Sequence, residues 1–406
     1  MLLVVLGLLV VAAWSAWPPS TMTIETGPVG GSYHQTALLY RDALARQGIT
    51  VTVKPNPESM EIIDHVAARG SGVDVGFIAQ DVSHMAGEAV VTVGQVQLQP
   101  LFIFASADLG RRSVLDNLRG RRIVMPPEDS ATSAAAVKVL SQYDITAENT
   151  SFTFMLLAEA AKQLQAGKFD AGIFMLAPEN ALIKALAADS SLRLLPYTEA
   201  RAIANHLPFL RPVVLPRGIY NIADAIPPYD TPLVAATVGI VIKEDLHPTL
   251  IYALLEAMRT VHRAPTFLSG AGEFPTLAGA QLSAHPIAMD YYKSGLPWVY
   301  RDLPPWLASM VDRYDTIGLG LLLIGTVFVF IGPITDMLGT MVEAVAVGMV
   351  RRVDRSATRT GRITAAQMRS LRIARRLLYW ADADHAASPV ITGLMARGVG
   401  PSGPAG

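Results

Sequence analysis

The sequence predicts an α/β protein of two similar lobes joined by a hinge, followed by a C-terminal transmembrane helix. Three observations carry this. A strand–loop–helix unit near residue 23 is echoed near residue 121. An uncharged run of twenty residues occupies 316–335. The charges beyond that run are one-sided.

The echo is specific in its spacing. In the first copy a strand (Thr23, Ile24, Glu25) leads into the loop 27–32. Ser32 is placed to cap a helix over 33–47, with Tyr33, Ala37, Tyr40 and Leu44 on one face. A strand over 49–53, a helix over 59–69 and the exit 72–78 follow. The second copy runs through a strand over 121–125, a helix capped by Ser130, a helix over 157–166 and the exit 167–174. Ser32 and Ser130 are 98 positions apart, and Asp74 and Asp170 are 96 apart. Both aspartates read as turn residues ahead of strands. The competing reading is chance resemblance of two ordinary βαβ elements.

The ends of the chain read as membrane-directed. Residues 1–17 are almost continuously apolar before Pro18-Pro19. They are expected to be an uncleaved signal-anchor or a cleaved signal, with a buried core helix as a third option. The run 316–335 is long enough to cross a bilayer. From Arg351 to Arg397 there are ten arginines against Asp354, Asp382 and Asp384. The positive-inside rule puts the tail 336–406 in the cytoplasm and 18–312 outside it. Within the tail, 362–380 reads as a helix with Met368, Leu371 and Leu378 on one face. It would lie on anionic lipid or form a solvated or partner-facing arm. Residues 388–406, rich in Gly, Pro and Ser, read as disordered.

Composition narrows the function. The chain of 406 residues is 51% hydrophobic and 17% charged, with mean hydropathy +0.35, which suggests that part of it sits in lipid. A net charge of −1 gives no general attraction for nucleic acid. With no cysteine there is no disulfide, thiolate zinc site, iron–sulfur cluster or thiol catalysis. The histidines at 34, 65, 84, 206, 247, 262, 285 and 385 show no metal-binding spacing, and His34 alone neighbours a candidate loop. No catalytic set, metal site or cofactor is expected, so the protein is not read as an enzyme. What the two loops can do is bind an anion. Each opens a helix, whose first N–H groups are unpaired and carry partial positive charge. Gly30-Gly31 lets backbone approach a ligand closely. Simple capping without a ligand is the plainer alternative.

The segments 23–35 (TIETGPVGGSYHQ), Ala79-Gln80-Asp81-Val82 and 115–124 (LDNLRGRRIV) resemble the TAXI-type solute receptors of tripartite ATP-independent periplasmic (TRAP) transporters. So do Asp129-Ser130-Ala131-Thr132, Phe169-Asp170-Ala171, Ala177-Pro178, Gly218-Ile219-Tyr220, His247-Pro248 and 286–306. The resemblance covers 21–313, and its C-terminal part looks like the longer, membrane-anchored members. Glu58, Ile62 and Ala131 depart from the family pattern. The resemblance implies a type II periplasmic-binding-protein fold, with 18–104 and 232–312 as the first lobe and 105–231 as the second. The lobes would join near 101–105 and 231–237. It implies a small organic acid or amino acid, such as glutamate, as ligand, and a TRAP-type permease as partner. Gly30, Gly31, Ser32, Tyr33, Ser59 and Gln80 would line the first-lobe side. Ser130, Ala131 and Thr132 would line the second, with Pro178 and Tyr220 closing the wall. The expected role is a membrane-anchored extracytoplasmic receptor; the alternative is a sensor or scaffold signalling through its transmembrane helix.

Overall fold

The computed structural model describes residues 18–82, 90–109, 115–303, 307–308, 311, 317–360, 363–380 and 384–397. The side chains of 116, 317–324, 326–336, 360, 384–388 and 397 are outside the described ones. The chain divides into two compact units, 1–313 and 314–406. The expected signal segment 1–17 lies outside the described residues.

In the first unit the echo becomes two matching half-sheets. β1 (Thr21–Thr26), α1 (Ser32–Ala45), β2 (Thr50–Pro55), α2 (Ile62–Ala67) and β3 (Val75–Ile78) come first. β1 lies between β2 and β3, parallel to both. β4 (Val90–Ser106) follows. Then β5 (Arg122–Met125), α3 (Ala131–Ser141), β6 (Ser151–Phe154), α4 (Leu157–Gln165) and β7 (Ala171–Met175) repeat the pattern. β5 lies between β6 and β7, again parallel to both. After α5 (Ala181–Ala188), β8 (Leu192–Leu194), α6 (Ala200–His206) and β9 (Leu210–Leu215), the long β10 (Thr231–Lys243) returns. The sheet order is β2-β1-β3-β10-β4-β7-β5-β6, so the halves are mirror arrangements about an antiparallel β10–β4 pair. This is a mixed, periplasmic-binding-protein-like α/β fold of two lobes.

β4 pairs with β10 up to Pro100 and with β7 from Leu101 onward. β10 pairs with β9 up to Ala236 and with β3 from Gly239. Both strands therefore run unbroken from one lobe into the other. α7 (Pro248–His262), α8 (Pro286–Ser294) and α9 (Trp298–Asp302) complete the unit.

The two exit aspartates do the same work in each copy. Asp74 Oδ2 accepts from Thr23 N at 2.8 Å, and Asp170 Oδ2 accepts from Arg122 N at 2.9 Å. Each carboxylate precedes the third strand of its half-sheet and ties down the start of the first. The Asp170 carboxyl is held below its ordinary range, chiefly by the Arg122 guanidinium hydrogen bond.

Several expectations are corrected. Ser32 is not the cap of α1: Gly31 holds that position with no side-chain bond, because the Ser32 hydroxyl is engaged across the cleft. The helix expected over 59–69 is a 3₁₀ turn at Ser59–Glu61 followed by the short α2. The second unit consists of α10 (Ile317–Thr360), α11 (Ala365–Trp380) and α12 (Asp384–Arg397). Residues 388–397, read as disordered, are thus helical, with Ile391 and Leu394 buried. The apolar face of α11 does not await lipid: Leu371, Ala374 and Leu378 pack with Ala346, Val350 and Val353 of α10. The helix containing the uncharged run is longer than expected, 44 residues. Among the described residues no helix is long and apolar enough to cross a membrane; most side chains of 316–335 lie outside those residues.

α1 is fastened to α7 through a buried pair, Tyr40 Oη and His262 Nε2, 2.8 Å apart. Burial pushes the His262 imidazole down from 6.5 to about 4. The unfolded chain takes up this proton near the ordinary value, so the stability contribution is complete above that pH. It is lost as pH falls toward the folded value, on the order of 3 kcal/mol in all. His262→Asn should remove this part of the acid dependence. Urea unfolding of both proteins at neutral and mildly acidic pH measures it, and an equal acid loss in the two would contradict the assignment.

Candidate ligand-binding site

The loop after β1 and the loop after β5 sit at the carboxyl ends of their strands, where open α/β sheets bind ligands. The first loop depends on its glycines. Gly30 is left-handed at φ +82°, and a Cβ on Gly31 would fall 2.9 Å from the Pro28 carbonyl oxygen. That tight turn delivers Ser32 and Tyr33 into the cleft. In the second loop Ser130 caps α3, its hydroxyl accepting from Ser133 N at 3.2 Å.

Both helix starts line one cavity of about 30 Å³ between the lobes. Of the residues expected from sequence, Gly31, Ser32, Tyr33, Ser59, Ser130, Ala131 and Thr132 line it. Gly30, Gln80, Pro178 and Tyr220 do not, but two of these still shape the cleft. The Gly30 carbonyl accepts from Asn180 Nδ2 at 3.0 Å. Tyr220 stands edge-on to Phe267, ring centroids 6.1 Å apart, and Phe267 N donates to Glu179 next to Pro178. Pro178 is buried. Gln80 is buried, with its Oε1 accepting from Ala79 N. His34 is half-exposed and away from the cavity lining.

The lobes touch through their serines. Ser32 Oγ accepts from Ala177 N at 2.8 Å, and Ser59 Oγ accepts from Ala131 N at 3.0 Å. Met60 N also donates to the Asp129 carbonyl at 3.1 Å. One helix-start amide expected to hold an anion, Ala131 N, is here capped by a hydroxyl of the opposite lobe; Ala177 N lies just past the end of β7, ahead of any helix start. The cavity holds roughly two waters, far from the roughly 300–1,000 Å³ of a small-molecule site. A ligand of amino-acid size needs the lobes to part.

Several donors are left over. Tyr33 Oη and the side-chain nitrogens of Gln80, Gln97 and Gln99 are buried without a hydrogen-bond partner, as is Tyr220 Oη. Buried polar groups are rarely left so. Burial raises the Tyr33 phenol far above its ordinary value, and burial, then Glu179, raises Tyr220. Both therefore remain protonated donors. No lysine or arginine lines the cavity; the donors are neutral. Gln99, which lines it, and Asn180 were missed in the sequence reading. The one available signal was the alternation Gln95, Gln97, Gln99 on a strand that otherwise reads as apolar. Tyr33 is held in place by stacking on Phe77, centroids 5.4 Å apart. Among the described residues no cluster of His, Asp and Glu is arranged to hold a metal.

The buried Glu25 just ahead of the first loop is held by its own set. Its Oε1 accepts from Asn56 at 3.0 Å and lies 2.9 Å from His65 Nδ1, and Lys54 Nζ is 3.6 Å from Oε2. Pairing of this kind is what allows a carboxylate to be buried, and it anchors the strand end from which the loop departs.

No curated protein matches the chain. Among solved structures it is similar to a histidine kinase sensor domain that resembles periplasmic binding proteins, at 14% identity and TM-score 0.40, covering 60% of this chain and 90% of that one. It is also similar to the amino-acid-transporter substrate-binding protein AbpA of Streptococcus pneumoniae, at 10% identity and TM-score 0.39, covering 60% and 89%. A third similarity is to the aliphatic sulphonate binding protein SsuA of Escherichia coli, at 14% identity and TM-score 0.39, covering 60% and 74%. Similarities this distant carry no argument about the ligand. The NMT1-like family model matches residues 24–294, more than half of the chain and all of the strands from β2 to β10, and the chain belongs to the NMT1-like family.

Proposed function

We propose that the protein is an extracytoplasmic solute receptor of the TAXI type that captures a small organic acid or amino acid and presents it to a TRAP-type permease. The observation that supports this best is one cavity between two hinged lobes, lined by both helix starts and by buried donors lacking partners. Neutral N–H and O–H donors suit a carboxylate, which accepts several hydrogen bonds at once. Binding requires no bond to be made or broken, so the reading is of a receptor and not an enzyme. Closure about β4 and β10 would trap the ligand.

The anchoring part of the proposal rests on the uncharged run 316–335, whose backbone is helical from Ile317, and on the one-sided arginines beyond it. On this reading the binding unit lies outside the cytoplasmic membrane and the tail lies within the cytoplasm. Residues 1–17 would serve as a signal-anchor or signal. A second reading, a sensor signalling through that helix, is favoured by one observation: the C-terminal unit has a core of its own, which transport alone does not require.

Thermal unfolding of the full chain against a panel of organic acids and amino acids tests capture. One ligand at a hundred times its Kd should stabilise the chain by about 2.7 kcal/mol. A flat panel would sink the proposal. In the same assay Gln99→Leu should weaken binding about tenfold or more, since a hydrogen bond to a charged ligand contributes about 1.5–3 kcal/mol; unchanged affinity would remove Gln99 from the site.

The crossing serines predict a second outcome. Each such bond contributes about 1 kcal/mol net, so Ser32→Ala with Ser59→Ala should shift the ligand-free balance toward parted lobes about thirtyfold. X-ray scattering in solution should then give a larger radius of gyration than the unsubstituted chain. Identical curves would show that these bonds do not hold the lobes together.

A further inference from the structure

The cavity between the lobes has donors to spare and no charge of its own. Among the described residues, none of those lining it is acidic or basic. Acceptors along it are engaged. The Pro28 carbonyl accepts from Gly31 N at 2.9 Å, and the Pro126 carbonyl accepts from Ser133 Oγ at 2.8 Å. The hydroxyl oxygens of Ser32, Ser59 and Ser130 each accept from a backbone amide. Tyr33 Oη and Gln99 Nε2 are buried donors without a partner, on residues 7% and 2% exposed, and both residues line the cavity. The start of α3 meets the same cavity through Ala131 and Thr132 and adds partial positive charge. The second lobe contributes three buried apolar side chains to the lining, Leu157, Met175 and Leu176.

This set discriminates between ligand classes. A carboxylate accepts on both oxygens and takes up donors of this kind. An ammonium only donates, so it leaves the spare donors unpaired, and no carboxylate in the lining offsets its loss of water. Glu25 is taken up by Asn56 and His65 and Glu179 by Phe267 N, and neither lines the cavity. A second carboxylate has no lysine or arginine to meet it. The charges next along the chain from the lining serines, Glu58 and Asp129, are exposed and acidic, and would repel it. A hydrocarbon chain, by contrast, gains by leaving water for Leu157, Met175 and Leu176. We infer that the ligand is a short-chain monocarboxylate, its one carboxylate held by Tyr33, Gln99 and the start of α3 and its carbon chain against Leu157, Met175 and Leu176, and neither an amino acid nor a dicarboxylate. The inference rests on the proposed capture at this site and narrows what is captured.

Isothermal titration calorimetry of the full chain tests this with the acids from propanoate to hexanoate, each beside its α-amino counterpart and the dicarboxylate of equal length. One of the acids should bind roughly tenfold or more tighter than both counterparts. Its primary amide, equal in shape and uncharged, should be weaker by a similar factor. An amino acid or dicarboxylate that binds as tightly as its acid would overturn the ligand class and leave capture standing. So would a response confined to compounds outside these acids. An amide as tight as the acid would overturn the negative charge given to the ligand. No response from any of these compounds or from the wider panel would overturn capture as well. Gln99→Glu puts one negative charge into the lining and should turn the order round, the amino acid over the acid. An unchanged order would overturn the role given to the uncharged lining. The comparison on the unsubstituted chain decides the ligand class whether or not this variant folds.

Discussion

The antiparallel pairing of β4 with β10 is the constraint on which the binding unit depends. The register runs from Lys243 opposite Val90 to Ala235 opposite Pro100, and each parallel half-sheet is attached to one side of this pair. Among the described residues only these two strands pair in both half-sheets, so relative motion of the lobes would be absorbed along them. The register shifts beside Gly239 and Ile240, and β4 changes partner at Pro100. A proline supplies no ladder donor, and it is placed where the strand gives up one neighbour for another. Bulges and a missing donor are where a strand bends at least cost. On the proposed reading, a hinge here would be written into the backbone pairing and not into a loop.

From that axis the chemistry of the cleft follows. Mirror-related half-sheets bring two strand–loop–helix turns face to face, and each turn presents a helix start to the other. A serine from one lobe meets an amide of the other, twice. These bonds imitate what an anionic ligand would make, since a hydroxyl oxygen accepts from the same N–H groups. On the proposed reading, contact between the lobes and a ligand at the Ala131 amide would compete for that donor. The unpartnered nitrogens of Gln97 and Gln99 belong to β4 itself, and through Gln99 the strand shared by both half-sheets also lines the cavity.

The echo was legible because it is local. Ser130 as a cap, the exit aspartates and the glycine turn each depend on a few neighbouring residues, and spacing alone exposed their repetition. Seven of the eleven residues named for the site line the cavity, because those seven sit on the loops that the echo revealed. What was hidden depends on tertiary contact. Ser32 looked like a cap, yet Ala177 of the other lobe claims its hydroxyl. Gln99 was concealed in a strand whose neighbours are buried apolar residues. Asn180 gave no local sign of reaching Gly30, 150 positions away. His247-Pro248 was legible as the head of a helix, but that His247 and His285 cap their helices through Nδ1 was not.

The tail shows why an amphipathic pattern alone does not name its partner. The face of α11 that carries Leu371 and Leu378 would serve equally for a lipid surface or for a neighbouring helix. α10 supplies the neighbour, with Ala346, Val350, Val353 and Ala357 at the matching spacing, so the apolar area is used within the unit. A helix with its apolar face already covered cannot lie along a membrane by that face. What remains outside is polar arginine surface and the hairpin's end. A folded element of this kind transmits a displacement of α10 as a body, whereas a solvated arm would dissipate it. That mechanical difference is the physical ground for keeping signalling beside transport as a use for the same binding unit.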